Sequence, residues 1–271
     1  MPLLDPESSA DPVCIVQLTD SHIYADPDAK LLGLDTLASL NAVIDQVLRE
    51  CPQLDLVLAT GDITQDGSRA AYERFIAARK RIPAPCYWVP GNHDDAVVMA
   101  DLGRSVGLNQ SWVDAGAWRI VLLDSSQTGQ VAGFLDDAQL DVLDNALASA
   151  GERYVLVCLH HHPISTGSAW MEPIGLQNAE ALFARLDADL RVRVVLWGHI
   201  HQSMDQQRGH LRLLAAPSTC VQFAQNSEDF ATVAQPPGYR WLRLHADGHV
   251  ETATPRLPPG SFLPDPNASG Y

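Results

Sequence analysis

Five short polar clusters in this 271-residue chain carry the residue types that bind cations and move protons. They are Thr19-Asp20-Ser21-His22, Thr60-Gly61-Asp62, Pro90-Gly91-Asn92-His93-Asp94, His160-His161-His162-Pro163 and Gly198-His199-Ile200-His201. Taken singly, each would be a capped turn or a solvated loop. Together, carboxylates, an amide oxygen and neutral imidazoles make a hard-to-borderline donor set without thiolate. Such a set suits iron, manganese, zinc or cobalt better than copper(I). Residues i and i+2 of an extended segment face the same way, so Asp20 with His22, and His199 with His201, are each expected to present two ligands to one side. There are more ligands here than one ion needs, and two ions about 3.5–4 Å apart sharing a carboxylate are the economical arrangement.

The elements that must position these clusters are legible as apolar runs. "CIVQL" (14–18), "LDLVLA" (54–59), "CYWV" (86–89), "YVLVCL" (154–159) and "RVVLW" (193–197) each end at one of the clusters, and "RIVLLD" (119–124) is a sixth run. Most are near-continuous rather than alternating, as expected of strands covered on both faces. Between them, Leu37, Leu40, Ile44, Val47 and Leu48 form one helical stripe, and Leu135, Leu140, Leu143 and Leu147 another. Alternating strands and helices predict a layered α/β domain whose strand ends share a crevice. After residue 215 the chain turns polar, and "YRWLRLHADGHVETA" reads as a hairpin turning at Asp247-Gly248.

Composition narrows the function classes. A formal charge of −15 argues against a broad nucleic-acid surface, which needs a basic footprint. No apolar stretch approaches the roughly 18–20 residues of a membrane span. The start "MPLLDPESSADP" lacks the basic and apolar regions of a secretory signal, so the expectation is a cytoplasmic protein with no membrane partner. Cys14, Cys51, Cys86, Cys158 and Cys220 are scattered without a CxxC pair and read as buried, reduced thiols.

In order, the motifs D-x-H, G-D, G-N-H-D, H-x-P and G-H-x-H resemble the calcineurin-like metallophosphoesterase superfamily over about residues 14–201. The resemblance implies a four-layer α-β-β-α sandwich. It implies one domain over 1–254, with 215–254 supplying C-terminal strands and an insertion that complete the second sheet, and an extended proline-rich tail over 255–271. It also implies that Asp20, His22 and His201 hold one metal, that Asn92, His161 and His199 hold the other, and that Asp62 bridges them. His161 is chosen because the family's ligand lies two residues before a proline, here Pro163; His160 and His162 are expected to support it by hydrogen bonding. With two divalent ions, Asp20, Asp62 and a bridging hydroxide, the cavity would carry roughly one positive charge, enough to attract a phosphodiester locally. His93 would face the substrate and stabilise the phosphate charge or protonate the leaving oxygen, with Asp94 orienting it.

Two branches fit poorly: "GDITQDG" lacks the arginine of the protein phosphatases, and Gln65 stands where purple acid phosphatases place a tyrosine. The segments "QLTDSHIY", "ATGDITQDGS", "VPGNHDD", "LHHHPI", "LWGHIHQ" and "APSTCVQF" are similar to the class III cyclic-nucleotide phosphodiesterases, nearest the bacterial cyclic AMP branch. That implies hydrolysis of 3',5'-cyclic AMP to 5'-AMP by attack of a metal-bridging hydroxide, with the phosphate contacting His22, Asp62, Asn92, His93 and His201. It implies iron or manganese, with zinc or cobalt as alternatives, a small cyclic nucleotide as partner, and a monomer or homodimer. Trp170 and Met171 are candidates for an apolar wall against a purine, and equally for loop packing. A broader phosphodiesterase acting on glycerophosphodiesters or 2',3'-cyclic nucleotides, and a catalytically inactive binding scaffold, are the competing readings.

Overall fold

The apolar runs become strands buried on both faces, and their period of two sorts the side chains into layers. In β1 (Val13–Leu18) Ile15 and Val16 enter different cores. In β2 (Leu56–Thr60) Leu56 and Leu58 face one way, Val57 and Ala59 the other. β3 (Cys86–Val89) completes this parallel trio. The computed structural model describes residues 11–265 and Ala268.

β4 (Trp112–Ala115) and β5 (Trp118–Leu122) begin a second sheet, which continues through β6 (Tyr154–Cys158) and β7 (Val192–Trp197). It is completed by the hairpin of β8 (Met204–Arg208) and β9 (Leu211–Ala215), in the order β4-β5-β6-β7-β9-β8. Ile120, Leu156, Cys158, Val194 and Leu196 meet Ile15, Leu56 and Leu58 in a core between the two sheets. The opposite faces are covered by helices. α1 (Thr36–Glu50), α2 (Arg69–Arg79) and α3 (Ala96–Val106) pack Leu40, Ile44, Tyr72, Phe75 and Met99 on the first sheet. α4 (Asp137–Ala148) and α5 (Ala179–Leu186) pack Leu143, Leu182 and Phe183 on the second. The result is the expected α-β-β-α sandwich.

In the first helical stripe read from the sequence Leu40, Ile44 and Val47 are buried, Leu37 is half-buried and Leu48 is exposed to solvent. The second stripe is buried, with one shift of boundary. Asp136 caps α4 by accepting from Gln139 N, so Leu135 lies just ahead of the helix while still buried in the same core.

The C-terminal strands differ from expectation. A two-residue ribbon, β10 (Gln222–Phe223) with β11 (Thr232–Val233), stands apart from both sheets. β12 (Arg240–Leu244) and β13 (Val250–Ala253) form the hairpin turning at Asp247-Gly248, but it joins β1 and extends the first sheet to β13-β12-β1-β2-β3. The reason is side-chain chemistry: Leu242 and Leu244 match the inter-sheet core beside Ile15, while β9 has already occupied the free edge of β7. The five cysteines are all free thiols. Among the described residues no helix is long and apolar enough to cross a membrane.

Candidate metal centre and active site

β1, β2 and β3 run parallel, as do β5, β6 and β7, so the clusters that follow them emerge at C-terminal strand ends. The two sheets are tied together beneath these ends. Gln17 in β1 donates through Nε2 to Thr60 Oγ1 at 2.8 Å and to the Trp197 carbonyl of the other sheet at 2.9 Å. Gly198 N donates to His160 O at 3.1 Å, and Asp20 N to Gly61 O at 3.0 Å. Gln17 was not singled out from the sequence, because a glutamine in an apolar run carries no motif.

The local backbone is not extended. Asp20, His22, Asp62, His199 and His201 all lie in the left-handed region, with φ of 54°, 46°, 46°, 66° and 49°. The i, i+2 pairs therefore converge through a succession of left-handed turns rather than through strand pleating, which corrects the geometric argument made from spacing. Non-glycine residues rarely hold this conformation, and clusters of it mark functional sites.

The motif glycines serve close approach. A Cβ on Gly61, whose φ is +89°, would lie 2.3 Å from His160 Nδ1, and one on Gly91 would lie 2.2 Å from Asp62 Oδ1. Gly61→Ala is expected to displace His160 and lower kcat/KM by about 100-fold or more, on the scale set by misplacing reacting groups by an ångström. Activity within threefold of the parent would show that the loop absorbs the methyl group.

The imidazoles converge with defined tautomers. His22 Nδ1 lies 2.6 Å from Gln65 Oε1, and His201 Nδ1 lies 2.8 Å from the Val221 carbonyl. Both partners are acceptors, so both Nδ1 atoms carry the hydrogen and both Nε2 atoms present lone pairs. Those two Nε2 atoms stand 3.2 Å apart, with Asp20 Oδ1 at 3.5 Å from that of His201 and Asp62 Oδ2 at 3.8 Å from that of His22. Lone pairs turned on one another at this distance call for a cation between them.

A second convergence lies on the other side of Asp62. His160 Nδ1 donates to the Thr60 carbonyl at 2.8 Å, which leaves its Nε2 facing Asn92 Oδ1 at 3.2 Å and Asp62 Oδ2 at 3.3 Å. His199 donates through Nε2 to the Ile174 carbonyl at 3.1 Å, leaving Nδ1 as its ligand atom. The ligand atoms of His160, His161 and His199 lie within 4.8 Å of one another.

His161, the expected ligand, is already satisfied. Its Nε2 donates to the Val131 carbonyl at 3.0 Å, and its Nδ1 accepts from Ser125 Oγ at 2.8 Å. Neither nitrogen of the neutral ring keeps a lone pair for a metal. Within the histidine run the geometry points to His160 rather than His161 as the ligand: His160 turns onto Asn92 and Asp62, and His161 anchors the loop that carries Val131. His162 stacks on His199 with ring centroids 5.5 Å apart.

The electrostatics fit a site made for positive charge. Asp62 is buried, which by itself raises a carboxyl pKa, but His160 and the neighbouring imidazoles outweigh this and hold it well below the usual carboxylate range. Burial lowers His160 too, yet the Asp62 carboxylate overrides it and lifts the imidazole to about 9. Burial depresses His22 to about 3 and His162 to about 4, and pushes His161 and His199 well below the ordinary histidine value.

The linkage signs follow. A depressed histidine binds fewer protons folded than unfolded, so its stabilisation is present above about pH 6.5 and is lost as pH falls below that. His160 has the opposite sign: its contribution is full below about pH 6.5 and is lost as pH rises through 9. Among the histidines, four depressed against one raised predict that the metal-free protein loses melting temperature from pH 6.5 to 4.5, a loss that Asp94, raised to about 6 by burial and by Asp62, only partly offsets. A flat profile over that window would contradict the burial of neutral imidazoles.

His93 and Asp94 divide as follows. His93 N donates to Asp62 Oδ1 at 2.9 Å, and its ring sits edge-on to His22 with centroids 4.9 Å apart, at the wall of the cavity. The Asp94 carboxylate accepts from Gly91 N, Ile63 N, Thr64 N, Thr64 Oγ1 and the Tyr72 hydroxyl. Asp94 therefore braces the loop after β3 against the loop after β2. Cys220, not among the residues expected at the site, lies within 4.8 Å of His22 and His201, but its thiol donates to the Asp20 carbonyl at 3.2 Å and is pushed up to about 12 by burial. A cavity of about 280 Å³ opens over this floor, lined by Asp62, Asn92, His93 and His199 and walled by Val131, Trp170, Met171, Ile174 and Phe223.

An α-β-β-α sandwich with clusters of buried His and Asp side chains able to hold metal ions on either side of Asp62 is the arrangement of a dimetal phosphoesterase class of protein. Consistent with this, residues 15–203 match the family model described as Calcineurin-like phosphoesterase, and the chain belongs to that family. It is 52% identical, over 96% of this chain and 95% of the relative, to the 3',5'-cyclic adenosine monophosphate phosphodiesterase CpdA of Pseudomonas aeruginosa. It is 41% identical, over 96% of this chain and 95% of the relative, to the protein of that name from Escherichia coli K12. A solved dimetal phosphatase from Danio rerio shares the fold, with a TM-score of 0.64 at 18% identity over 91% of this chain and 99% of that one.

Proposed function

We propose that this chain is a two-metal phosphodiesterase that hydrolyses 3',5'-cyclic AMP to 5'-AMP. The observation that carries the metal-dependent part is the pair of lone-pair convergences on either side of Asp62. The substrate is supported by relatives that bear this activity in their names and align along nearly the whole chain.

In this reading Asp20, His22 and His201 would hold one ion and Asn92, His160 and His199 the other, with Asp62 shared between them. Iron or manganese suits the set best, with zinc or cobalt as alternatives, since no thiolate takes part. When bound, the ions supply Lewis-acid stabilisation of the phosphoryl oxygens and lower the pKa of the attacking water. The chain's own residues do the rest. Gln65, the Val221 carbonyl, the Thr60 carbonyl and the Ile174 carbonyl fix the imidazole tautomers. The Asp62–His93 backbone bond anchors the His93 ring beside the cavity, where it touches the phosphate. As water adds to phosphorus and the P–O3' bond breaks, His93 delivers a proton to the departing O3'.

The test measures kcat/KM for 3',5'-cyclic AMP, 2',3'-cyclic AMP and glycerophosphocholine on one metal-loaded preparation. The 3',5' isomer is expected to lead by about tenfold or more, roughly 1.4 kcal/mol in the barrier. A better rate on either of the others would replace this reading with a broader phosphodiesterase.

A further inference from the structure

Three aromatic side chains stand together beside the polar floor. Trp170 and Phe223 pack edge to face with centroids 5.3 Å apart, Trp170 and Phe230 at 5.2 Å, and Phe223 and Phe230 at 5.4 Å. Phe223 in turn lies flat on His201, at 3.9 Å and 7°. The wall therefore begins directly at the metal floor and ends at Phe230, which is 41% exposed.

Hydrogen bonds hold the two loops that carry it in fixed relation. Ala169 N donates to the Ser227 carbonyl at 2.9 Å, and Ser227 N donates to Ser168 Oγ at 3.2 Å. Aromatic groups fixed this way lose little freedom on binding, which favours a planar ligand.

We propose that Trp170, Phe223 and Phe230 form a base-recognition wall that selects purine over pyrimidine cyclic nucleotides. The inference rests on the cyclic-nucleotide reading above and deepens it. A phosphate seated on the floor leaves the ribose to carry the base outward along Phe223. A two-ring base covers more of the wall than a one-ring base, and stacking energy grows with that overlap.

The experiment uses the metal-loaded full chain with 3',5'-cyclic AMP, 3',5'-cyclic CMP and abasic ribose 3',5'-cyclic phosphate, followed by phosphorus NMR. The parent is expected to prefer the adenine substrate to the cytosine one by about tenfold or more in kcat/KM, the scale of one base–aromatic stack. Phe230→Ala should remove most of that preference, chiefly by raising KM, and Trp170→Ala should weaken cyclic AMP about fivefold or more, the low end of one base–aromatic stack. Both should affect the abasic substrate several-fold less. Equal losses on cyclic AMP and the abasic substrate, or a parent enzyme that treats the two bases alike, would overturn the base-recognition wall while leaving the phosphodiesterase reading intact. A parent that hydrolyses no cyclic nucleotide would overturn both.

Discussion

Asp62→Ala is expected to abolish turnover, lowering kcat/KM for 3',5'-cyclic AMP by about 10³-fold or more, about 4 kcal/mol in the barrier. The carboxylate sits between the two imidazole sets, 3.8 Å from His22 Nε2 and 3.3 Å from His160 Nε2. Its other oxygen holds the His93 backbone at 2.9 Å. One substitution thus removes the shared negative charge of both cation sites and the anchor of the proposed proton donor. Metal analysis should show occupancy falling at both sites, while circular dichroism shows the sandwich retained. Residual activity within tenfold of the parent, with two metals still bound, would show that Asp62 does not connect the sites.

The second large effect separates two adjacent histidines. His160→Ala should bind about one metal per chain instead of two and lose about 10³-fold in kcat/KM, because its Nε2 faces Asn92 and Asp62 and would become a ligand when a cation replaces its proton. His161→Ala should keep both metals. Its ring joins Ser125 to the Val131 carbonyl, so its loss loosens a cavity wall and lowers activity by about 10- to 100-fold, the range for groups that orient ligands from behind. Metal content by mass spectrometry decides the matter. One metal in His161→Ala and two in His160→Ala would restore the ligand assignment drawn from the proline spacing.

The layered architecture was largely legible, since alternating apolar runs and helical stripes have few packings other than a sandwich. Asp20, His22, Asp62, Asn92, His199 and His201 were legible as a group because each follows directly on a strand. The misreadings have separate causes. An extended backbone is the wrong expectation at Asp20, His22, Asp62, His199 and His201, where φ is positive. The hairpin of β12 and β13 was found but assigned to the wrong sheet, because pairing partners distant in sequence leave no local signal. Phe223 and Phe230 were overlooked because isolated phenylalanines in a polar loop look like ordinary packing, and only their common contact with Trp170 sets them apart.

By itself the sequence determined which residue types stand at the strand ends, and so the chemistry of the donor set. That information is local, written in apolar periodicity and the polar residues that interrupt it. The tertiary structure alone decided which nitrogen of which histidine faces the centre. "HHHP" offers three identical rings, and the selection is made by the Thr60 carbonyl from β2, Ser125 from the end of β5 and the Val131 carbonyl from a distant loop. Each takes up or orients one ring nitrogen, and only the fold brings them within hydrogen-bonding distance.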